Sequence, residues 1–115
     1  MKKPIKKLTK KQIIKQERIA KKKAWTLIAK EIRQRDGNVC VICGQSCPRL
    51  NVHHLIPREV KEYWLEPMNL ISLCPRHHKF SITESFHKSP FWSFKWMQAH
   101  RLEQLNWIME KYIIQ

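Results

Sequence analysis

The segment Cys40-Val41-Ile42-Cys43-Gly44, then Val52-His53-His54-Leu55-Ile56-Pro57, then Asn69-Leu70-Ile71-Ser72-Leu73-Cys74-Pro75-Arg76-His77-His78, decides how this chain folds. Cys40 and Cys43 form one short-spaced pair, Cys74 and His77 another, and together they bring four ligands onto two turns. A tetrahedral zinc ion needs four soft or borderline donors and nothing else. The first assignment is therefore a structural Zn²⁺ on Cys40, Cys43, Cys74 and His77, which would stiffen a body of only ~80 residues. Cys47 competes for the fourth place, because Cys40, Cys43 and Cys47 lie in one Cys-x2-Cys-x3-Cys run. His77 is preferred because Cys74-Pro75-Arg76-His77 sets both donors on one turn at the start of a helix. Incidental buried cysteines would not account for both spacings.

Around that segment the elements follow from local signals. Val39–Cys43 reads as a short strand turning through a knuckle at Gly44. Leu50–Pro57 and Leu70–Leu73 are extended, the former ended by its proline. Pro75 suits the first turn of a helix running into the mid-80s, and Ser89-Pro90 opens another over roughly 90–112. On that last helix Phe94, Leu102, Leu105 and Met109 are assigned to the core, with Trp92, Trp96 and Trp107 left open. Upstream, Thr9-Lys10-Lys11-Gln12 is a capping box. Trp25, Ile28, Ala29 and Ile32 recur at i, i+3/i+4 spacing, and Asp36-Gly37 supplies a stop. These signals predict a helix over about 10–35 that docks through Trp25–Ile32. Residues 1–24 form a basic arm, and 25–115 the folded domain.

The chain has 115 residues, 43% hydrophobic and 28% charged, which suits one folded domain. A TIM barrel, a Rossmann enzyme or a kinase would not fit. Its 23 Lys+Arg against 9 Asp+Glu give a formal charge of +14. Residues 1–35 hold fourteen of those basic side chains and only two acidic ones. That bias implies a polyanionic partner, nucleic acid ahead of a membrane surface. Lys10, Lys11, Lys15, Arg18 and Lys22 are the candidate phosphate contacts on the arm. No apolar run approaches the ~18 residues of a membrane span, and no apolar stretch follows the basic start as a secretory signal requires. A cytoplasmic, reducing setting is expected, where cysteines serve as metal ligands or buried thiols rather than disulfides.

A zinc knuckle leaves His53, His54 and His78 unused. Neighbours on a strand face opposite ways, so one of His53 and His54 can join His78 on a metal while the other approaches a substrate. Taken in order, the three motifs resemble the HNH endonucleases, small phage-borne members above all. The resemblance covers about 36–88 and the lead-in helix. It implies an α+β fold: a ββα-metal core with a zinc knuckle, flanked by an N-terminal basic helix and a C-terminal helix. It also implies His54 as general base, Asn69 as the residue that orients it, and His53 and His78 as ligands of one divalent ion. His53 stands where many members have Asp, which favours Mn²⁺, Ni²⁺ or Zn²⁺ over Mg²⁺. His77 stands where a fourth Cys is usual. Glu59, Glu62 and Glu66 do not offer the bridging carboxylates of a two-metal site. His87 could serve as a third metal ligand, but it lies outside the motif and is read as a surface residue or a neighbour of the site. Arg58, Arg76 and Lys79 flank the motif as further phosphate contacts.

The implied activity is metal-dependent hydrolysis of DNA phosphodiester bonds, with double-stranded DNA as partner. Neutral His54, with an ordinary pKa near ~6.5, can take a proton from water. The Asn69 side-chain carbonyl would accept from its other ring nitrogen. Two alternatives stand beside this: a zinc-bearing nucleic-acid-binding module without catalysis, and a phage packaging accessory serving a larger complex such as a terminase. The surplus of His53, His54, Asn69 and His78 beyond four zinc ligands favours the enzyme. A single site implies nicking by a monomer, and double-strand cleavage would need a homodimer or two successive events. No recognition helix is identifiable, so backbone-directed binding of modest specificity is expected.

Overall fold

The computed structural model describes residues 6–113; positions 1–5 of the arm and 114–115 lie outside the described residues. Helix α1 spans Lys10–Arg35. Its capping box forms as expected: Gln12 N–H donates to Thr9 Oγ1 at 3.2 Å and Thr9 N–H to Gln12 Oε1 at 2.9 Å. The C-terminal half docks through Ala29 and Ile32, both buried. Residues 6–23 are exposed throughout, so this half has no packing to hold it and depends on the cap and on good helix formers. A single helix thus carries both the arm and the first anchor of the body. It ends at Asp36, where Gly37 and Asn38 take positive φ values of 76° and 57° and reverse the chain.

Strands β1 (Asn51–His54) and β2 (Leu70–Leu73) pair antiparallel, with His53 opposite Ile71 and His54 opposite Leu70. All four residues of β2 are buried. Its outer edge is covered rather than left open to a stray strand. The Ser72 carbonyl accepts from Val41 N–H at 3.1 Å, and Ser72 N–H donates to Asp36 Oδ2 at 2.9 Å. Asp36 is therefore more than a helix stop. Its carboxylate, 1% exposed, also pairs with Arg35 at 3.0 Å and Arg101 at 3.5 Å, joining the end of α1, the edge of β2 and the C-terminal helices.

Three expectations about elements are corrected. Val39–Cys43 is a turn, not a strand. Cys40 N–H donates to Gln45 O and the Cys40 carbonyl accepts from Gly44 N–H at 2.8 Å, closing a knuckle with Gly44 at φ 70°. The helix after Pro75 is one wide turn, Arg76–Phe80, rather than a run into the mid-80s. Continuation would need the carbonyls of His77 and His78, and these already accept from Phe86 N–H at 2.9 Å and His87 N–H at 3.1 Å. The C-terminal helix breaks at Arg101 into α2 (Pro90–His100) and α3 (Leu102–Ile108), followed by a turn Met109–Ile113. Arg101 leaves helical geometry (φ −139°, ψ 48°) where its side chain reaches Asp36.

The break changes which side chains enter the core. Leu105 is buried and Met109 packs against the same cluster, as expected. Phe94 and Leu102, assigned to the core, are 42% and 54% exposed. Met97 and Ile108 pack with Ile56 in that core instead. Trp92, Trp96 and Trp107 are half-buried. No described helix is long and apolar enough to cross a membrane.

Candidate active site

The knuckle and the residue after β2 bring three thiols together. The Sγ atoms of Cys40, Cys43 and Cys74 all lie within 4.8 Å of one another, with Cys43 and Cys74 4.0 Å apart. A tetrahedral ion with sulfur at about 2.3 Å holds its sulfur ligands roughly 3.8 Å apart, so the set fits. Burial pushes the Cys74 thiol up to about 11. Burial also acts to raise Cys40, but backbone hydrogen bonds from Cys43, Cys74 and Ile42 outweigh it and the thiol lies below its ordinary value. Cys47 is half-buried and packs against the cluster that contains Cys40 and Cys74. Neither Cys47 nor His77 has a ligand atom within 4.8 Å of all three thiols. His77 Nδ1 lies 2.8 Å from the Glu84 carbonyl and its ring stacks parallel to Trp92.

Alternation along β1 sends the adjacent histidines to different neighbourhoods. The His53 ring lies 5.0 Å from those of both His78 and His87, and His78 Nε2 is 3.1 Å from His87 Nε2. One ring nitrogen from each of the three falls within 4.8 Å of the others. Imidazole ligands at about 2.0–2.1 Å from one ion suit such convergence. His87, placed at the margin by sequence, is thus the third member of the group. The same backbone bonds that cut short the turn at Arg76–Phe80 deliver it there. Burial, then the His78 and His87 charges, pushes His53 down to about 3. Burial, then His87, pushes His78 down to about 4. His87 is lowered by burial and by Lys79. All three are neutral near pH 7, the form that binds metal.

His54 points elsewhere. Its Nε2 lies 3.0 Å from the Trp64 carbonyl, and its ring stacks on Trp25 with centroids 4.7 Å apart and planes 20° from parallel. Burial lowers its pKa, against the opposing pull of the Trp64 carbonyl. A neutral ring donating from Nε2 to that carbonyl leaves Nδ1 as the basic nitrogen, a tautomer assigned from the bond. Asn69 is fully buried and does not bond His54, contrary to the direct contact expected. Its Oδ1 accepts from Ile56 N–H, while Nδ2 donates to Ile56 O at 3.1 Å and Tyr63 O at 3.0 Å. It ties together the two ends of the loop after β1, and so sets the Trp64 carbonyl that holds the imidazole.

Both histidine groups open on one cleft of about 780 Å³. Lys21 and Lys22 of α1 line it, with Arg58 and Lys79 from the body. Arg76 is exposed outside the cleft. Lys10, Lys11, Lys15 and Arg18 are exposed farther along α1. Lys11, Lys15, Arg18 and Lys22 recur at 4-3-4 spacing and form one stripe, which leads from the cleft over about 17 Å of helix. Sequence reasoning missed Lys21, Trp64 and the second role of Trp25; only the tertiary arrangement puts them at the cleft.

Residues 40–80 match the family model described as HNH endonuclease. The match begins at the first knuckle cysteine and takes in His53, His54, Asn69 and His78, so the similarity to HNH endonucleases covers the segment that holds the β1 and β2 framework of both histidine groups. Searches among curated proteins and among solved structures give no match.

Proposed function

We propose that the chain is a metal-dependent endonuclease that hydrolyses DNA phosphodiester bonds, with His54 as general base. The observation that carries this reading is the pairing of a neutral His54 with the His53, His78 and His87 group on one basic cleft. His54 Nδ1 takes a proton from the attacking water. The Trp64 carbonyl steadies the imidazolium that results, and Asn69 keeps that carbonyl in place. Lys22, Arg58 and Lys79 hold phosphates at the cleft. A divalent ion on His53, His78 and His87 would supply Lewis-acid stabilisation of the phosphate and the leaving 3′ oxygen. An all-imidazole donor set suits Mn²⁺, Ni²⁺ or Zn²⁺ better than Mg²⁺. Cys40, Cys43 and Cys74 suit a structural Zn²⁺, with Cys47, which packs against the same cluster, as the fourth donor. On this reading 1–24 is the grip, 25–115 the nuclease domain, and the protein works as a nicking monomer in the cytoplasm.

The test is conversion of supercoiled plasmid to open circle. Nicking is expected only with added metal, faster with Mn²⁺ or Ni²⁺ than with Mg²⁺, and abolished by EDTA. Plasmid binding without nicking under any of these ions would return the chain to the non-catalytic binding module. Grip is measured separately. Changing Lys11, Lys15, Arg18 and Lys22 together to Gln should flatten the dependence of log K on log salt by roughly 0.9 for each phosphate no longer neutralised. An unchanged slope would make the stripe an ordinary solvated face.

A further inference from the structure

We propose that Trp25 is a positioning residue for the His54 base, which makes the basic helix a wall of the reaction centre as well as a grip on DNA. The inference rests on the reading of His54 as base. Trp25 sits on α1 and His54 on β1, yet their rings stack at 4.7 Å with planes 20° apart. Trp25 also stacks on Trp64, at 5.9 Å and 20°. Trp64 is the residue whose carbonyl meets His54 Nε2 at 3.0 Å.

The two contacts do different work. A bond from Nε2 to a carbonyl fixes which ring edge faces the protein, but leaves the ring plane free to rock about that bond. A parallel indole on the imidazole face removes the rocking and leaves the ring edge, with Nδ1, open. A general base must stay within hydrogen-bond reach of the proton it takes, and a misplacement near 1 Å can cost roughly a hundredfold in rate. The helix that carries Trp25 is anchored one and two turns on by buried Ala29 and Ile32. Lys21 and Lys22, one turn before Trp25, line the cleft beside His54. Phosphates gripped by that turn therefore bear on the helix segment that carries the indole.

The experiment compares Trp25→Leu and Trp25→Phe in the full chain. It reads nicking rate at saturating plasmid, DNA affinity in EDTA, and the His54 ring-proton shifts by NMR. Trp25→Leu should lower the saturating rate roughly 10- to 100-fold with DNA affinity almost unchanged, and should move the His54 ring protons out of their upfield, indole-shielded position. Trp25→Phe should keep most of the rate, because a phenyl ring still offers a face. Equal rates for the two variants, or a loss confined to DNA affinity, would overturn the proposal and make Trp25 a structural or DNA-stacking residue. A wild type that never nicks, with His54 shielded as described, would sink the base reading itself. Trp25→Leu with wild-type His54 shifts would instead sink only the stack.

Discussion

If the three thiols hold the proposed zinc, replacing Cys74 by serine, or stripping that ion with a strong chelator, should unfold the body of the protein. Among the described residues the β-structure consists of two strands of four residues each, and a two-stranded hairpin is at best marginally stable in water. One core cluster among the described residues is Cys40, Leu50, Ile71, Leu73 and Cys74, so two of the thiols are themselves core side chains. The knuckle also covers the outer edge of β2 through Val41. Structural zinc in small domains contributes an apparent ~10–16 kcal/mol, as large as the ~5–15 kcal/mol total stability of an ordinary domain. Metal analysis after mild chelation should give about one zinc per chain, since structural zinc is held far more tightly than a catalytic ion. Circular dichroism should show loss of cooperative melting once that zinc is removed. Cys47→Ser should weaken the site while His77→Ala should not, if Cys47 completes the tetrahedron. A zinc-free protein that melts as the wild type does would remove the metal from the fold.

What the sequence disclosed was local. Thr9 and Gln12 announce the start of α1 and Asp36-Gly37 its end, because caps and turns are decided within a few residues. The alternation of β1 was legible for the same reason, and it separates His53 from His54. Contacts decided across the chain were not legible. His87 reaches His78 only because the Phe86 and His87 amides capture the carbonyls of His77 and His78, a pairing no periodicity encodes. The break at Arg101 coincides with its contact to Asp36, far earlier in sequence. Asn69 was identified as a site residue, but its partners are the backbone of Ile56 and Tyr63 rather than the imidazole. Trp25 fitted the docking stripe so well that the spacing gave no hint of its stack on His54.

His54→Ala carries the other large effect. Proton transfer by a positioned side chain contributes about 10²–10⁴-fold to rate, and no other described imidazole stands ready to substitute. His53, His78 and His87 form the separate group in which their ring nitrogens converge on one another. His54 makes one hydrogen bond and is only half-buried, so its removal should leave the fold and the zinc content intact. The direct measurement is the plasmid-nicking rate of wild type and His54→Ala at saturating Mn²⁺, with zinc content and melting temperature matched. A variant slower by about a hundredfold or more is the expected result; equal rates would contradict the assignment of His54 as the base.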